Sequence, residues 1–222
     1  MNWLQKLERK INKFAIHNLM YYIVALTGLV FILYMFFGYE FISRLYFFPD
    51  AILNGEIWRI ITFVFIPPSF SPLWIIFALY FYYMIGRTLE QQWGTARFNL
   101  YYMFGVIGTV AASLLTGTIG MPTYLNLSLF LAFAHLFPDF QVLLFLIIPV
   151  KMKYLAYLNW FFFAFTILTG SMSDRVAAIV ALANFFIFFY GDFTRGVKRR
   201  VSNNDTRSEF NRQIREFKRK NR

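Results

Sequence analysis

Apolar residues run along this chain in six stretches, at 18–38, 71–91, 97–117, 123–137, 154–170 and 175–191, with polar or glycine-rich punctuation between them. About 20 residues of helix cross a hydrocarbon core of about 30 Å, so the pattern predicts six membrane-spanning helices. The fourth stretch is short, which leaves it tilted or partly buried within the bundle. A further run, "VLLFLIIPV" at 142–150, is too short to span and is interrupted by Pro149. It reads as a re-entrant or interfacial piece leading to the fifth span.

The two ends of the chain are patterned differently. "NWLQKLERKINKF" puts Trp3, Leu4, Leu7, Ile11 and Phe14 on one helical face, with Lys6, Arg9, Lys10 and Lys13 elsewhere. That suits a helix lying in the headgroup region. "SEFNRQIREFKRK" repeats the pattern more weakly through Phe210, Ile214 and Phe217, after a flexible link at 201–208. Anionic lipid would satisfy both basic segments, as would a cytoplasmic partner of the tail. The expected organisation is an amphipathic helix at 1–16, a membrane domain at 17–192 and a basic cytoplasmic tail at 193–222.

Composition agrees with the spans. The chain is 59% hydrophobic and 15% charged, where a soluble domain carries about a quarter charged residues. An all-α polytopic membrane protein is the fold class expected. With no cysteine, disulfides, thiolate nucleophiles and Cys-ligated metals are excluded. The first apolar stretch lacks a small-x-small cleavage site before Gly38, so it is expected to stay as a helix. Nineteen of the 22 Lys and Arg fall with the N-terminus, the 87–97 and 138–153 loops and the tail; only Arg44, Arg59 and Arg175 fall on the other side. This asymmetry orients both termini to the cytoplasm. It also makes the net charge of +11 a topology signal; no stacking platform or recognised module accompanies it, so no nucleic-acid partner is expected. The wealth of Phe, Tyr, Ile and Asn without Cys suits a bacterial inner membrane.

One stretch, "TYLNLSLFLAFAHLFPD" at 123–139, holds a serine and a histidine. Ser128 and His135 share a helical face but lie two turns apart, roughly 10.5 Å along the axis. A nucleophile and its base must sit at about 2.6–3.2 Å, so they are not a dyad. His17, the other histidine, lies at the cytoplasmic end of the first span. No H-E-x-x-H occurs and no carboxylate falls in a span core, so no metal or other cofactor is expected. The spans carry amides and hydroxyls instead: Asn126, Ser128, Asn159 and Asn184. Tying helices together is one role for them. Contact with a substrate or client is the other, with Asn126, Ser128 and Asn184 the candidates. Small residues at 105–120 and 177–184 include the pairs Gly108–Ala112 and Ala177–Ala181. These place spans three and six at the packed centre, with the fourth beside them.

Three further stretches carry a family likeness. "GEIWRIITFVFIPPSFSP" (55–72), through Trp58 and Arg59, resembles the first external loop of the rhomboid superfamily, which holds intramembrane proteases, derlins and inactive relatives. "GRTLEQQWGTARFNLYY" (86–102) resembles its turn between spans two and three through Gly86, Leu89, Glu90, Gly94, Arg97 and Phe98. "LFPDFQVLLFLIIPVKMKYLA" (136–156) resembles its Leu-Phe-Pro junction at Pro138. The resemblance implies a six-transmembrane-helix rhomboid-like bundle. It implies a structural role for Trp58 and Arg59, whose Arg braces the loop. Glu90 and Arg97 are expected to clamp a turn, as an ion pair.

The family's proteases use a serine opening span four and a histidine in span six. Counting along this chain puts Thr123 and Ala178 at those positions. Trp74 and Ala78 stand where the family has an oxyanion-stabilising His and Asn. A hydroxyl without an imidazole has nothing to activate it, and lost oxyanion donors cost several kcal/mol more. The resemblance therefore implies a pseudoprotease: a non-catalytic membrane protein that binds transmembrane helices of client proteins, in quality control or regulation, and perturbs the bilayer around it. Proteolysis through Thr123 is the alternative. A transporter or channel is the third reading, against which stand the absence of charge in the span cores and of a visible inverted repeat.

Overall fold

The computed structural model describes residues 3–144 and 148–189, with side chains except at 3–6, 143–144 and 148. The chain divides into two compact units, 1–185 and 186–222; of the second, only 186–189 are described. The tail helix, its linker and the boundary at 193 lie outside the described residues.

Helices form at all six expected positions. They are α2 (Leu19–Ser43), α5 (Pro72–Trp93), α6 (Thr95–Thr116), α7 (Thr123–Leu136), α8 (Met152–Thr169) and α9 (Met172–Phe189), preceded by the short α1 (Trp3–Ile11). Four of them, α2, α5, α6 and α9, are long and apolar enough to cross a membrane. The chain is an all-α polytopic membrane protein, apart from one small hairpin. Between α2 and α5 lie α3 (Pro49–Leu53), α4 (Arg59–Thr62) and a 3-10 turn at Phe63–Phe65.

One expectation needs correction, and one gains detail. The first span does not stop at Gly38: the helix kinks there, at φ 69°, and runs on to Ser43. Glycine takes that left-handed conformation without steric cost, so the residue that looked like a terminator is a bend. The run 142–150, read as a re-entrant or interfacial piece, has its described residues in strands. It belongs to an antiparallel hairpin of β1 (Gln141–Leu144) and β2 (Ile148–Lys151), in register Gln141 to Lys151 and Leu144 to Ile148. Pro149 bars a helix there, and an edge of a two-stranded ribbon tolerates it.

Close approach inside the bundle comes from glycine. A Cβ at Gly105 would run into Leu125 of α7, and one at Gly108 would meet Val180 of α9 at 2.6 Å. Gly86 similarly lets α5 meet Met20 of α2. Lipid tails are as apolar as leucine, so this contact, rather than hydrophobic transfer, holds such helices together. It puts α7 in the interior, where Leu125, Leu129, Leu131, Ala132 and Phe133 are buried. Gly94, at φ 84°, both ends α5 and starts α6.

Candidate functional site

At one end of the helices, the segment after α2 is held by a single guanidinium. Arg59 is 7% exposed. Its Nε donates to Glu56 Oε2 at 2.6 Å, and its Nη1 donates to the carbonyls of Ser43 (2.8 Å) and Tyr46 (2.9 Å). It also lies over the Phe48 ring, 5.5 Å from the centroid. Trp58 adds an indole N–H to the Arg44 carbonyl at 3.4 Å. One residue beyond Tyr46, the Phe47 carbonyl accepts from the N–H of Gly120 at 3.0 Å, tying this segment to the α6–α7 loop. A buried charge persists only when its donors are met, and here the partners are the backbone of the segment it shapes.

This bracing frames a cavity of about 900 Å³, lined by Asp50, Glu56, the ends of α6 and α7, and Asp174 of α9. Thr123 is exposed at its wall. Next to it, the Tyr124 hydroxyl donates to Asp174 Oδ1 at 3.1 Å, and Ser171 Oγ donates to Oδ2 at 2.6 Å. The hydroxyls of Thr116 and Thr118 are 2.7 Å apart, and Ser113 donates to the Thr118 carbonyl. None of the lining residues is His, Lys or Arg. The cavity offers hydroxyls and carboxylates, and no imidazole beside Thr123. His135 lies twelve residues further along α7, roughly 18 Å of rise, edge-on to Phe185.

On the side of the bundle, α5, α7 and α8 enclose a second hollow of about 460 Å³. Its walls are Phe77 and Phe81 of α5, Phe130 of α7, and Leu155, Leu158 and Phe162 of α8, with Val142 of the hairpin at its edge. Two amides break this apolar lining, Asn126 and Asn159. Asn126 faces Tyr82. Asn159 is 5% exposed, and its Nδ2 donates to the Leu127 carbonyl at 3.0 Å. Thr123 lines both hollows.

The other expected residues sort cleanly. Ala78 lines the groove, while Trp74 is half-exposed on α5. Ala178 is fully buried on α9, and its neighbour Ala177 lines the cavity. Ser128 and Asn184, candidates for client contact, reach neither hollow. Ser128 Oγ lies 2.6 Å from the Tyr101 hydroxyl and donates to the Ala181 carbonyl at 2.9 Å; Asn184 Nδ2 donates to the Tyr101 carbonyl at 3.2 Å. They join α6, α7 and α9.

At the opposite end, Glu90 and Arg97 do not form the expected ion pair. Glu90 Oε1 accepts from the N–H of Asn18 (2.9 Å) and from Thr95 Oγ1 (3.0 Å). Arg97 reaches Glu8 at 3.8 Å and lies over Trp93. Asn99, unremarked in the sequence, exchanges two hydrogen bonds with the backbone of Ile16, each 3.0 Å. The Pro138 carbonyl accepts from the N–H of Lys153 at 3.0 Å. Asp139 pairs with Lys151 and Lys153, and the hydrogen bond and charge of Lys151 hold its carboxyl below the usual range.

Sequence comparison places this architecture. A family described as "Eukaryotic integral membrane protein (DUF1751)" matches residues 19–217. No curated protein matches the chain. The description of the family overturns the bacterial inner membrane that composition suggested: aromatic and cysteine content follows from packing in lipid and carries little information about the cell.

Proposed function

The chain belongs to that family of eukaryotic integral membrane proteins, and on that premise we propose that it is a non-catalytic, rhomboid-like six-span protein that binds transmembrane segments of client proteins. The observation that carries the reading is the groove between α5 and α8. Its phenyl and leucyl walls match a transmembrane helix, and its two amides can hydrogen-bond with one. The cavity supports the absence of serine-protease-type catalysis, because Thr123 has hydroxyl and carboxylate neighbours and no imidazole. The three stretches that resemble rhomboids form the Arg59-braced segment, the Gly94 turn and the Pro138 junction, all at helix ends. At 14 residues, α7 spans roughly 21 Å, short of a hydrocarbon core of about 30 Å, which its place in the interior of the bundle permits.

A second reading has one observation in its favour: Thr123 lines both the groove and the polar cavity, the position a nucleophile would take. Both are tested on the purified full chain in vesicles with a single-span rhomboid-type substrate. Expected are no cleavage by the wild type or by Thr123→Ala, and crosslinking of a single-span helix from a photoreactive residue at Phe162. Cleavage by the wild type that vanishes in Thr123→Ala would make the protein a protease.

A further inference from the structure

The groove contains an acceptor without a donor. Asn159 Oδ1 is buried and has no hydrogen-bond partner among the described residues. Which amide atom it is follows from chemistry: the Leu127 carbonyl can only accept, so the atom 3.0 Å from it must be the NH₂. The oxygen is left over at a position that lines the groove. Asn159 stands seven residues into α8, roughly 10.5 Å along its axis. An unpaired buried acceptor keeps its full desolvation cost, and lipid acyl chains carry no donor to relieve it.

We propose that Asn159 selects what the groove binds: a transmembrane helix bearing a side-chain N–H or O–H donor level with Asn159, in preference to a wholly apolar one. This rests on the client-binding reading above and adds the class of client. The phenyl and leucyl walls accept any apolar helix, so affinity comes from them and discrimination from the amide. A donor placed in the groove satisfies Oδ1 once the covered amide turns toward it, and is itself withdrawn from lipid, where it would otherwise lack a partner. Sterols and phospholipids keep their polar groups at the headgroup level and do not reach it. The free hydroxyl or amide of an unassembled membrane subunit does.

The test uses the full chain in phosphatidylcholine vesicles with a photoreactive residue at Phe162. The probes are synthetic Leu/Ala single-span helices carrying one Gln at the level of Asn159, or the similarly shaped Met. The Gln helix is expected to crosslink about three- to tenfold more, as one intramembrane hydrogen bond allows. The advantage should fall away when Gln is moved one residue around the helix, and Asn159→Leu should bring the ratio to one. If that variant fails to fold, the scan of Gln positions in the wild type decides alone. Equal crosslinking of Gln and Met helices would overturn this inference and leave the groove as a client site. A preference that persists in Asn159→Leu would also overturn it, by placing the reader elsewhere. No crosslinking of either helix would instead defeat the client-binding reading itself.

Discussion

The cavity and the groove share one residue, Thr123, and differ in nearly everything else. The cavity is the larger, is framed by loops and helix ends, and is lined by hydroxyls and acids. The groove is half its volume, is framed by three helices, and shows phenyl and leucyl walls with two amides. A rhomboid-type attack on a peptide bond needs the first kind of space plus an imidazole, and no histidine lines it. Binding a helix needs the second kind of space and nothing more. The contrast teaches that one bundle can carry a polar and an apolar hollow side by side, because loops and helix ends frame the first and helix faces the second.

Four perturbations would break or sharpen that contrast. The largest should come from Arg59→Leu, which leaves Glu56 and two part-buried carbonyls without their donor. Hydrogen bonds to a charged group are worth about 1.5–3 kcal/mol each; with Glu56 partly exposed, the loss should be about 3 kcal/mol in all, visible as a lower thermal midpoint in detergent. Below that midpoint, crosslinking from Phe162 should persist, since α5, α7 and α8 do not touch the guanidinium. Loss of both would mean the two hollows are one cooperative structure.

Gly105→Leu should rank next. It drives a side chain into Leu125, in the wall of α7 behind both hollows, at about 2–3 kcal/mol for an overpacked core. Here cavity and groove should fail together, read as falling midpoint and falling crosslinking. Ser128→Ala attacks the same wall more gently. It removes hydrogen bonds to Tyr101 and Ala181, and should cost about 1 kcal/mol with crosslinking retained.

The smallest effect is at the hairpin. The Asp139 carboxyl is held below its ordinary value of 3.8 by Lys151 and then Lys153. Its contribution is therefore complete above 3.8 and is lost as the pH falls through the lower folded-state value. An NMR titration of that carboxyl should show the depression, and Lys151→Met should diminish it. Because the pair is solvent-exposed, the groove edge at Val142 should barely respond.

Much of the architecture was legible because it follows from length. Six apolar runs gave six helices within a few residues, and small residues at 105–120 and 177–184 pointed to α6 and α9 as the packed pair, although the interior helix between them is α7. The failures have physical causes. Gly38 reads as an end because glycine is both a stop and a bend, and only the following apolar turn decides. The run at 142–150 is short enough for strand or interface, and its pairing with itself is a tertiary fact. Glu90 and Arg97 flank the break at Gly94, seven residues apart, a placement that invites an ion pair, yet the N–H of Asn18, 72 residues away, takes the carboxylate first. Asn99 and Tyr101 looked like ordinary members of an apolar helix. Their partners, Ile16 and Ser128, are too distant in sequence for any local pattern to reveal. At the site, Thr123 and Asn126 were readable from the resemblance and from polarity. The free oxygen of Asn159 was not, since it depends on which atom Leu127 engages.

From Thr123 to Leu127 is one turn of α7, roughly 6 Å of rise, and over that turn the lining passes from hydroxyl and carboxylate to phenyl. Polarity thus changes along a wall of protein, residue by residue, and not at a single boundary. On the client-binding proposal, a helix lying against that wall would trade apolar neighbours for polar ones in the order of its own sequence.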